Sequence, residues 1–275
     1  MAQRDLADKR IIITGASSGI GRALAVEAVK RGGRVIATGR DEQRLNETVQ
    51  KARSGRGVIE AIVGDVTVAE DRERIVHFAE QKFGGIDVLV NNAGIGATGH
   101  FQYAGPERLR RIMEVNFFAV CELCRLSIPV LKEGRDPAIL MINSVAGRRA
   151  IPSRSEYSAS KFALMGFSEA LRAELSKDGI DVCVVSPGLT ESSFEDHMIE
   201  NNAKHSLHAQ RSMSAAEAAG LILDALCKGK NEVTLTLKGK MLMLANRLLP
   251  RFVDRKMSQF VIKLYADEMQ AAKRS

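Results

Sequence analysis

Apolar residues in the first two-thirds of the chain fall into short unbroken runs, separated by longer stretches where they recur every three or four positions. The short runs, rich in Val and Ile, predict strands at Arg10–Thr14, Arg34–Thr38, Val58–Val63, Ile86–Val90, Ala138–Asn143 and Ile180–Val185. The longer stretches predict helices over 19–31, 41–53, 68–83, 106–132 and 155–177. Strands that are apolar on both faces and separated by helices belong in a parallel sheet covered on both sides. The pattern therefore predicts an α/β fold built of βαβ units. Gly84-Gly85 and Asp178-Gly179 sit where helices should stop. Pro129 falls inside the 106–132 pattern and predicts a kink or an early end.

No linker, repeat or low-complexity segment interrupts the chain before residue 186, so one domain is expected. After Pro187-Gly188 the character changes. Residues 189–212 are polar and suit a mobile loop or substrate lid. Ser214–Lys228 reads as a helix, and Glu232–Leu237 as a seventh strand. The domain is thus expected to span 1–237, with amphipathic helices interrupted at Pro250 making up a C-terminal extension over 238–275.

Composition narrows the class. With 45% hydrophobic and 27% charged residues among 275, the chain reads as an ordinary globular protein. Met1–Arg10 has five charged residues and no apolar core, so it does not read as a secretory signal. Four cysteines in a chain this long do not form a disulfide framework, and a cytoplasmic, reducing location is the expectation. Cys121 and Cys124 have zinc-like spacing but no second ligand pair, so they read as buried small hydrophobes and no metal is expected. His197, His205 and His208 are scattered through the polar segment and read as surface residues.

Charge is placed unevenly. Residues 1–227 hold 29 Lys and Arg against 29 Asp and Glu, so the whole net charge of +7 lies beyond residue 227. No zinc-finger or RNA-recognition motif accompanies it, which sets nucleic acid aside. In the tail Met241, Leu242, Leu244, Leu248, Leu249, Phe252, Val253, Met257, Phe260, Val261 and Leu264 recur at roughly helical spacing. Lys238, Lys240, Arg247, Arg251, Arg255, Lys256 and Lys263 are interleaved. The longest apolar stretch, Met241–Ala245, is far short of a spanning helix. Three fates remain open for this face over 238–264: a peripheral membrane contact, a cap on the substrate pocket, or a second subunit.

Chemistry is concentrated in two places. The first strand runs into Thr14-Gly15-Ala16-Ser17-Ser18-Gly19-Ile20-Gly21 and then a helix. Glycines there permit a tight turn and bring backbone amides to a pyrophosphate at the helix N-terminus. The spacing is G-x-x-x-G-x-G, not the G-x-G-x-x-G dinucleotide fingerprint. Tyr157 and Lys161, four residues apart, share one helix face, thirteen residues after Ser144. A lysine cation beside a phenol favours the phenolate and makes a proton-transfer device.

The set Thr14–Gly21, Asp65, Asn91-Asn92-Ala93-Gly94, Asn116, Ser144, Tyr157, Lys161 and Pro187-Gly188 resembles the short-chain dehydrogenase/reductase family in its compact single-domain form, over residues 8–190. The resemblance implies a Rossmann-type, doubly wound sheet of seven parallel strands, a nicotinamide cofactor, and hydride transfer at a carbonyl or alcohol carbon. It implies Tyr157 as general acid and base, Lys161 lowering its pKa and bonding the nicotinamide ribose, and Ser144 holding the substrate oxygen. Asn116 matches the residue that positions a water linking Lys161 to solvent. Gly15, Ser17, Ser18, Gly19, Ile20, Gly21, Asp65, Val66, Asn92, Ala93, Gly94, Pro187 and Gly188 would line the cofactor, Asp65 through the adenine. Thr190 or Ser192 would meet the carboxamide. Asn91 is expected to tie the central strands together, and Asn143 to hydrogen-bond at a strand end. Asp65 also has a plain reading as a helix cap or turn residue.

The second strand ends Ala37-Thr38-Gly39-Arg40, with no acid at its tip. An acid there selects NAD, whereas an arginine accommodates the 2′-phosphate of NADP. Arg40 therefore predicts NADP(H), with Asp41 next door as the dissenting residue. The expected function is an NADP(H)-dependent oxidoreductase on a moderately apolar ketone, steroid or lipid-like alcohol. The alternative is a catalytically silent NADP-binding scaffold. Family members commonly pair through helices matching 106–132 and 155–177, which implies a homo-oligomer, dimer or tetramer.

Overall fold

Seven parallel strands pair side by side: β1 (Arg10–Thr14), β2 (Arg34–Gly39), β3 (Val58–Val63), β4 (Val88–Asn91), β5 (Ala138–Ile142), β6 (Asp181–Ser186) and β9 (Glu232–Thr234), in the order β3-β2-β1-β4-β5-β6-β9. Two short strands, β7 (Thr190–Glu191) and β8 (Met213–Ser214), pair with each other apart from this sheet. The structure is a computed structural model that describes residues 4–188, 190–191, 198–201 and 212–264.

The unbroken apolar runs are explained by cover on both faces. Ile11, Ile13, Val88, Val90, Leu140 and Val185 pack under α1 (Gly19–Lys30), α2 (Glu42–Ala52) and α7 (Ala215–Cys227). Their strand neighbours Ile12, Leu89, Met141 and Val184 point the other way, against α3 (Ala69–Phe83), α5 (Ala119–Lys132) and α6 (Ser155–Leu175). Ile12, Leu89, Ile139 and Leu140 are fully buried, and burying one such side chain stabilises by roughly 1.5–3 kcal/mol.

The chain winds β1 to β3 in one direction, then returns to start β4 beside β1 and continues the other way. The crevice at the carboxyl ends of β1 and β4 is therefore the switch point where doubly wound sheets bind ligands. At the amino ends of these strands the fully buried Asp87 pins β4 to β1, accepting from the Arg10 backbone N–H (2.8 Å), Arg10 Nη2 (2.7 Å) and the Arg135 backbone N–H (2.7 Å).

Three details depart from the sequence pattern. Pro129 does not end its helix; α5 continues to Lys132. The proline removes one backbone bond in the last turn, and Leu131, fully buried, holds that turn on the core. The 106–132 stretch is instead interrupted earlier. It consists of α4 (Pro106–Met113), a π-helical segment over Glu114–Phe118, and α5. The seventh strand stops at Thr234, because the Thr236 hydroxyl accepts from Gly239 N (3.2 Å) and caps α8 (Leu237–Leu248). Pro250 then opens α9 (Pro250–Leu264), a position where its missing N–H has no partner to lose.

Candidate active site

The glycine-rich turn is built by close approach. Gly15 lies in the left-handed region at φ 64°. A Cβ on Gly21 would fall 2.2 Å from Gly15 O and 2.4 Å from Asn92 Nδ2, so only glycine lets α1 start here. Asn92 Nδ2 donates to Thr14 O (2.8 Å) and Gly15 O (3.2 Å), while the backbone N–H groups of Asn92 and Ala93 both donate to Thr14 Oγ1 (3.0 Å each). Asn92 thus works through the turn. The Asn91 amide on β4 donates to Met141 Sδ (3.5 Å) on the neighbouring strand β5 and to Cys124 Sγ (3.3 Å) on α5, a link between central strands.

Ser18 caps α1 by position but makes no side-chain cap bond, and no acidic residue stands in the first turn with Gly19, Ile20 and Gly21. The amides and the positive end of that helix therefore suit an anion. By contrast α2, α7 and α8 are capped by Asp41, Ser214 and Thr236 side chains. A dinucleotide pyrophosphate fits this cradle.

Beside it lie the ends of β2 and β3. A Cβ on Gly39 would sit 3.1 Å from Ser17 Oγ, which places that hydroxyl against the strand tip. Arg40 is solvent-facing, with Nη1 3.9 Å from Asp65 Oδ2. Asp41 is engaged elsewhere: it accepts from Arg44 N (2.9 Å) and pairs with Arg44 Nε (3.5 Å). Asp65 Oδ1 accepts from Thr67 N (2.9 Å) and Thr67 Oγ1 (2.7 Å), an Asx turn rather than a helix cap, since the N-cap position of α3 is Val68. Val66 presents its carbonyl to Arg72 Nη1 at 2.7 Å.

The proton-transfer residues meet across the crevice. Ser144 follows β5 and accepts from Ala146 N (3.1 Å), which fixes its rotamer; its hydroxyl is also hydrogen-bonded to Tyr157. Tyr157 and Lys161 share the buried face of α6, with Lys161 Nζ 5.8 Å from the Tyr157 ring centroid and donating to Ile142 O (3.0 Å). A Cβ on Gly94 would touch both Asn116 Oδ1 (3.2 Å) and Lys161 Nζ (3.7 Å), so the four residues form one cluster. Asn116, fully buried in the π-helical segment, accepts from Ile95 N (2.8 Å) and donates to Ile95 O (2.9 Å) and Ser160 Oγ (3.0 Å). A π insertion frequently marks a functional site, and here it aims one side chain at both the β4 loop and α6.

The electrostatics differ from the simple picture of an acidified phenol. Burial raises Tyr157 above an ordinary phenol, against the opposing pulls of the Ser144 hydrogen bond and the Arg154 charge. Burial also lowers Lys161 to about 8. As the site stands, the phenol holds its proton and the lysine titrates near working pH.

Residues without a sequence signal brace this cluster. Arg108 Nε donates to Glu156 Oε1 (2.8 Å) and Nη1 to Glu200 Oε2 (2.8 Å), joining α4, the residue before Tyr157, and the segment 198–201. Thr98 N donates to Glu200 O (2.9 Å), so that segment lies along the loop after β4. Arg108 and Glu156 are both almost fully buried, and a lone polar residue in a helix gives no hint of that in sequence. Asn143 makes its strand-end bond through the backbone N–H, to Val185 O (2.8 Å), while its buried side-chain amide has no partner among the described residues. Beyond β6, the buried Pro187 leads to Gly188 at φ 83°, where a Cβ would lie 2.7 Å from Thr236 Oγ1, and Thr190 Oγ1 donates to Gly188 O (3.4 Å). Ser192, His197, His205 and His208 lie outside the described residues. All four cysteines are free; Cys124 is buried and Cys121 half-buried.

Comparison with known proteins agrees with this geometry. The chain is 30% identical over 262 residues to "Uncharacterized oxidoreductase YxnA" of Bacillus subtilis, covering 94% of this chain and 74% of that one. It is 35% identical over 227 residues to "11-beta-hydroxysteroid dehydrogenase-like 4A" of Arabidopsis thaliana, covering 82% and 75%. It is 37% identical over 187 residues to "3-ketodihydrosphingosine reductase" of Bacteroides thetaiotaomicron, covering 68% and 66%. Among solved structures, a short chain dehydrogenase/reductase from Burkholderia phymatum in complex with NAD superposes with TM-score 0.81 at 23% identity, covering 92% and 96%. An alcohol dehydrogenase from Thermococcus sibiricus complexed with 5-hydroxy-NADP superposes with TM-score 0.73 at 23% identity, covering 82% and 94%. The model of the short chain dehydrogenase family matches residues 9–203, and the chain belongs to that family.

Proposed function

We propose that the protein is an NADP(H)-dependent reductase of an apolar ketone, acting reversibly on the corresponding secondary alcohol. The observation that carries it is the Ser144–Tyr157 hydrogen bond beside Lys161, facing an uncapped helix start. The glycine-rich turn Gly15–Gly21 would hold a nicotinamide cofactor, which would supply or accept the hydride. Ser144 holds the substrate oxygen and stabilises charge as it develops there. Tyr157 gives its proton to that oxygen. Because burial keeps the phenol protonated, the site is set for the general-acid step of reduction at neutral pH. Lys161, tethered to Ile142 O, holds its charge beside the ring.

For the cofactor, NADP is supported by Arg40 reaching out from β2 and by Asp41 being committed to Arg44. The Arg40 guanidinium and the Ser17 hydroxyl at the tip of β2 are the kinds of donor that a 2′-phosphate would need. For the substrate, the relatives named for an 11-beta-hydroxysteroid and for 3-ketodihydrosphingosine support a lipid-like ketone. A homo-oligomer is supported by the exposed Leu109, Phe118 and Phe162 along α4, the π-helical segment and α6.

The deciding experiment follows NADPH oxidation against steroid, long-chain and aromatic ketones. Tyr157→Phe should retain dinucleotide binding and lose roughly 10²- to 10⁴-fold in kcat. Full activity in that variant would remove the assignment.

A further inference from the structure

We propose that the exposed face of α8 and α9 docks on an anionic lipid surface beside the catalytic cleft, so that the ketone is drawn from the bilayer. The substrate half of this rests on the reading of the cleft given above.

Leu237, Met241, Leu244 and Leu248 follow one another at intervals of four, three and four residues, which is a single helix face. They are 72%, 62%, 58% and 66% exposed, and Gly239 is the one buried residue of α8. Leu249, Phe252, Phe260 and Ile262 extend the exposed apolar surface onto α9. Among the described residues this is the densest set of exposed large side chains, far beyond the scattered singles of an ordinary surface.

Charge selects the occupant. Lys238, Lys240, Arg247, Arg251, Arg255, Lys256 and Lys263 are exposed around the apolar residues. The single carboxylate of 237–264, Asp254, is already held by Arg149 Nη1 at 2.7 Å. Two such faces would repel each other across a dimer, whereas anionic headgroups meet the cations while the chains' apolar side chains enter the interface. No described helix is long and apolar enough to cross a membrane, so the contact is peripheral.

Tertiary contacts put this face at the site. Arg149 Nη1 also donates to Asn246 Oδ1 (3.1 Å), and a Cβ on Gly239 would lie 3.0 Å from Val145 Cγ2. Val145 and Arg149 belong to the turn that follows Ser144. Val253, 5% exposed, anchors α9 from beneath. The lipid surface therefore lies next to the loop that carries the substrate-holding serine.

The test uses the full-length protein, floated with phosphatidylcholine vesicles with and without phosphatidylglycerol. It should float with the anionic vesicles only. Leu244→Ser/Leu248→Ser/Phe252→Ser and Arg247→Gln/Arg251→Gln/Arg255→Gln should each weaken partition at least about tenfold. Both variants should keep wild-type turnover of a water-dissolved ketone and lose turnover of a vesicle-borne one. Wild-type protein remaining in the lipid-free fraction overturns the proposal. So does an oligomer that the serine variant dissociates in the absence of flotation, which would give the face to a second copy. Flotation with no ketone turned over would support the docking surface and overturn the substrate half.

Discussion

Lys161 is the residue whose environment most constrains behaviour. Burial lowers it to about 8, from an ordinary value near 10.5. The folded state thus binds fewer protons than the unfolded one between those values, and stability should rise with pH across that window. Below pH 8 the buried cation opposes folding by about 3 kcal/mol. Lys161→Met should therefore raise unfolding stability by about 1–2 kcal/mol at pH 7, after loss of the Ile142 hydrogen bond, while removing activity. Chemical denaturation and turnover measured on the same variant check both halves. In the wild type, reduction should decline as pH rises through about 8, where Lys161 loses its charge. A kcat profile flat across that value would exclude the lysine from the proton path. Arg40 belongs to the same scale. If it binds the 2′-phosphate, Arg40→Ala removes charge-assisted bonds worth about 1.5–3 kcal/mol. KM for NADPH should then rise roughly 10- to 100-fold with KM for NADH little changed. Equal effects on both cofactors would refute the NADP reading.

At the scale of elements, the amino ends of the central strands, opposite the site, carry an ion pair that the apolar pattern does not announce. Asp87 is fully buried at the entrance to β4. Burial pushes its carboxyl up, but hydrogen bonds from the Arg10 guanidinium and the backbone N–H groups of Arg10 and Arg135 outweigh this and hold it at about 2. Its contribution is present above the ordinary Asp value and is lost as pH falls through about 2. Asp87→Asn should cost about 3 kcal/mol at pH 7, because Arg10 loses its buried partner. The difference between variant and wild type should shrink between about pH 4 and pH 2, as urea titrations at each pH would show. A constant difference would place the stabilisation elsewhere. The π-helical segment is the other element that matters, since it turns Asn116 inward to join the β4 loop to α6.

For the whole molecule, charge and apolar surface are segregated. A neutral body bears the crevice, and a net positive end bears the exposed helices α8 and α9. Association of that end with anionic vesicles should fall with salt, because the screening length shrinks from about 10 Å at 0.1 M to about 3 Å at 1 M. Turnover of a dissolved ketone should not follow it. Parallel salt dependence of both would show that the cations serve catalysis or stability instead.

Strands β1 to β6, the helices between them and the glycine-rich start were legible from periodicity, because burial on both faces leaves a local, unbroken apolar record. The spacing of Tyr157 and Lys161 was legible for the same kind of reason, since one helical turn fixes which side chains are neighbours. Other features depend on partners far along the chain. Sequence did not show that the Asn92 amide locks the glycine-rich turn, or that Arg108 bridges Glu156 and Glu200. It did not show that Pro129 is tolerated, or that burial keeps Tyr157 protonated. Those outcomes were decided by tertiary contacts, because desolvation and long-range hydrogen bonds exist only once distant segments have come together.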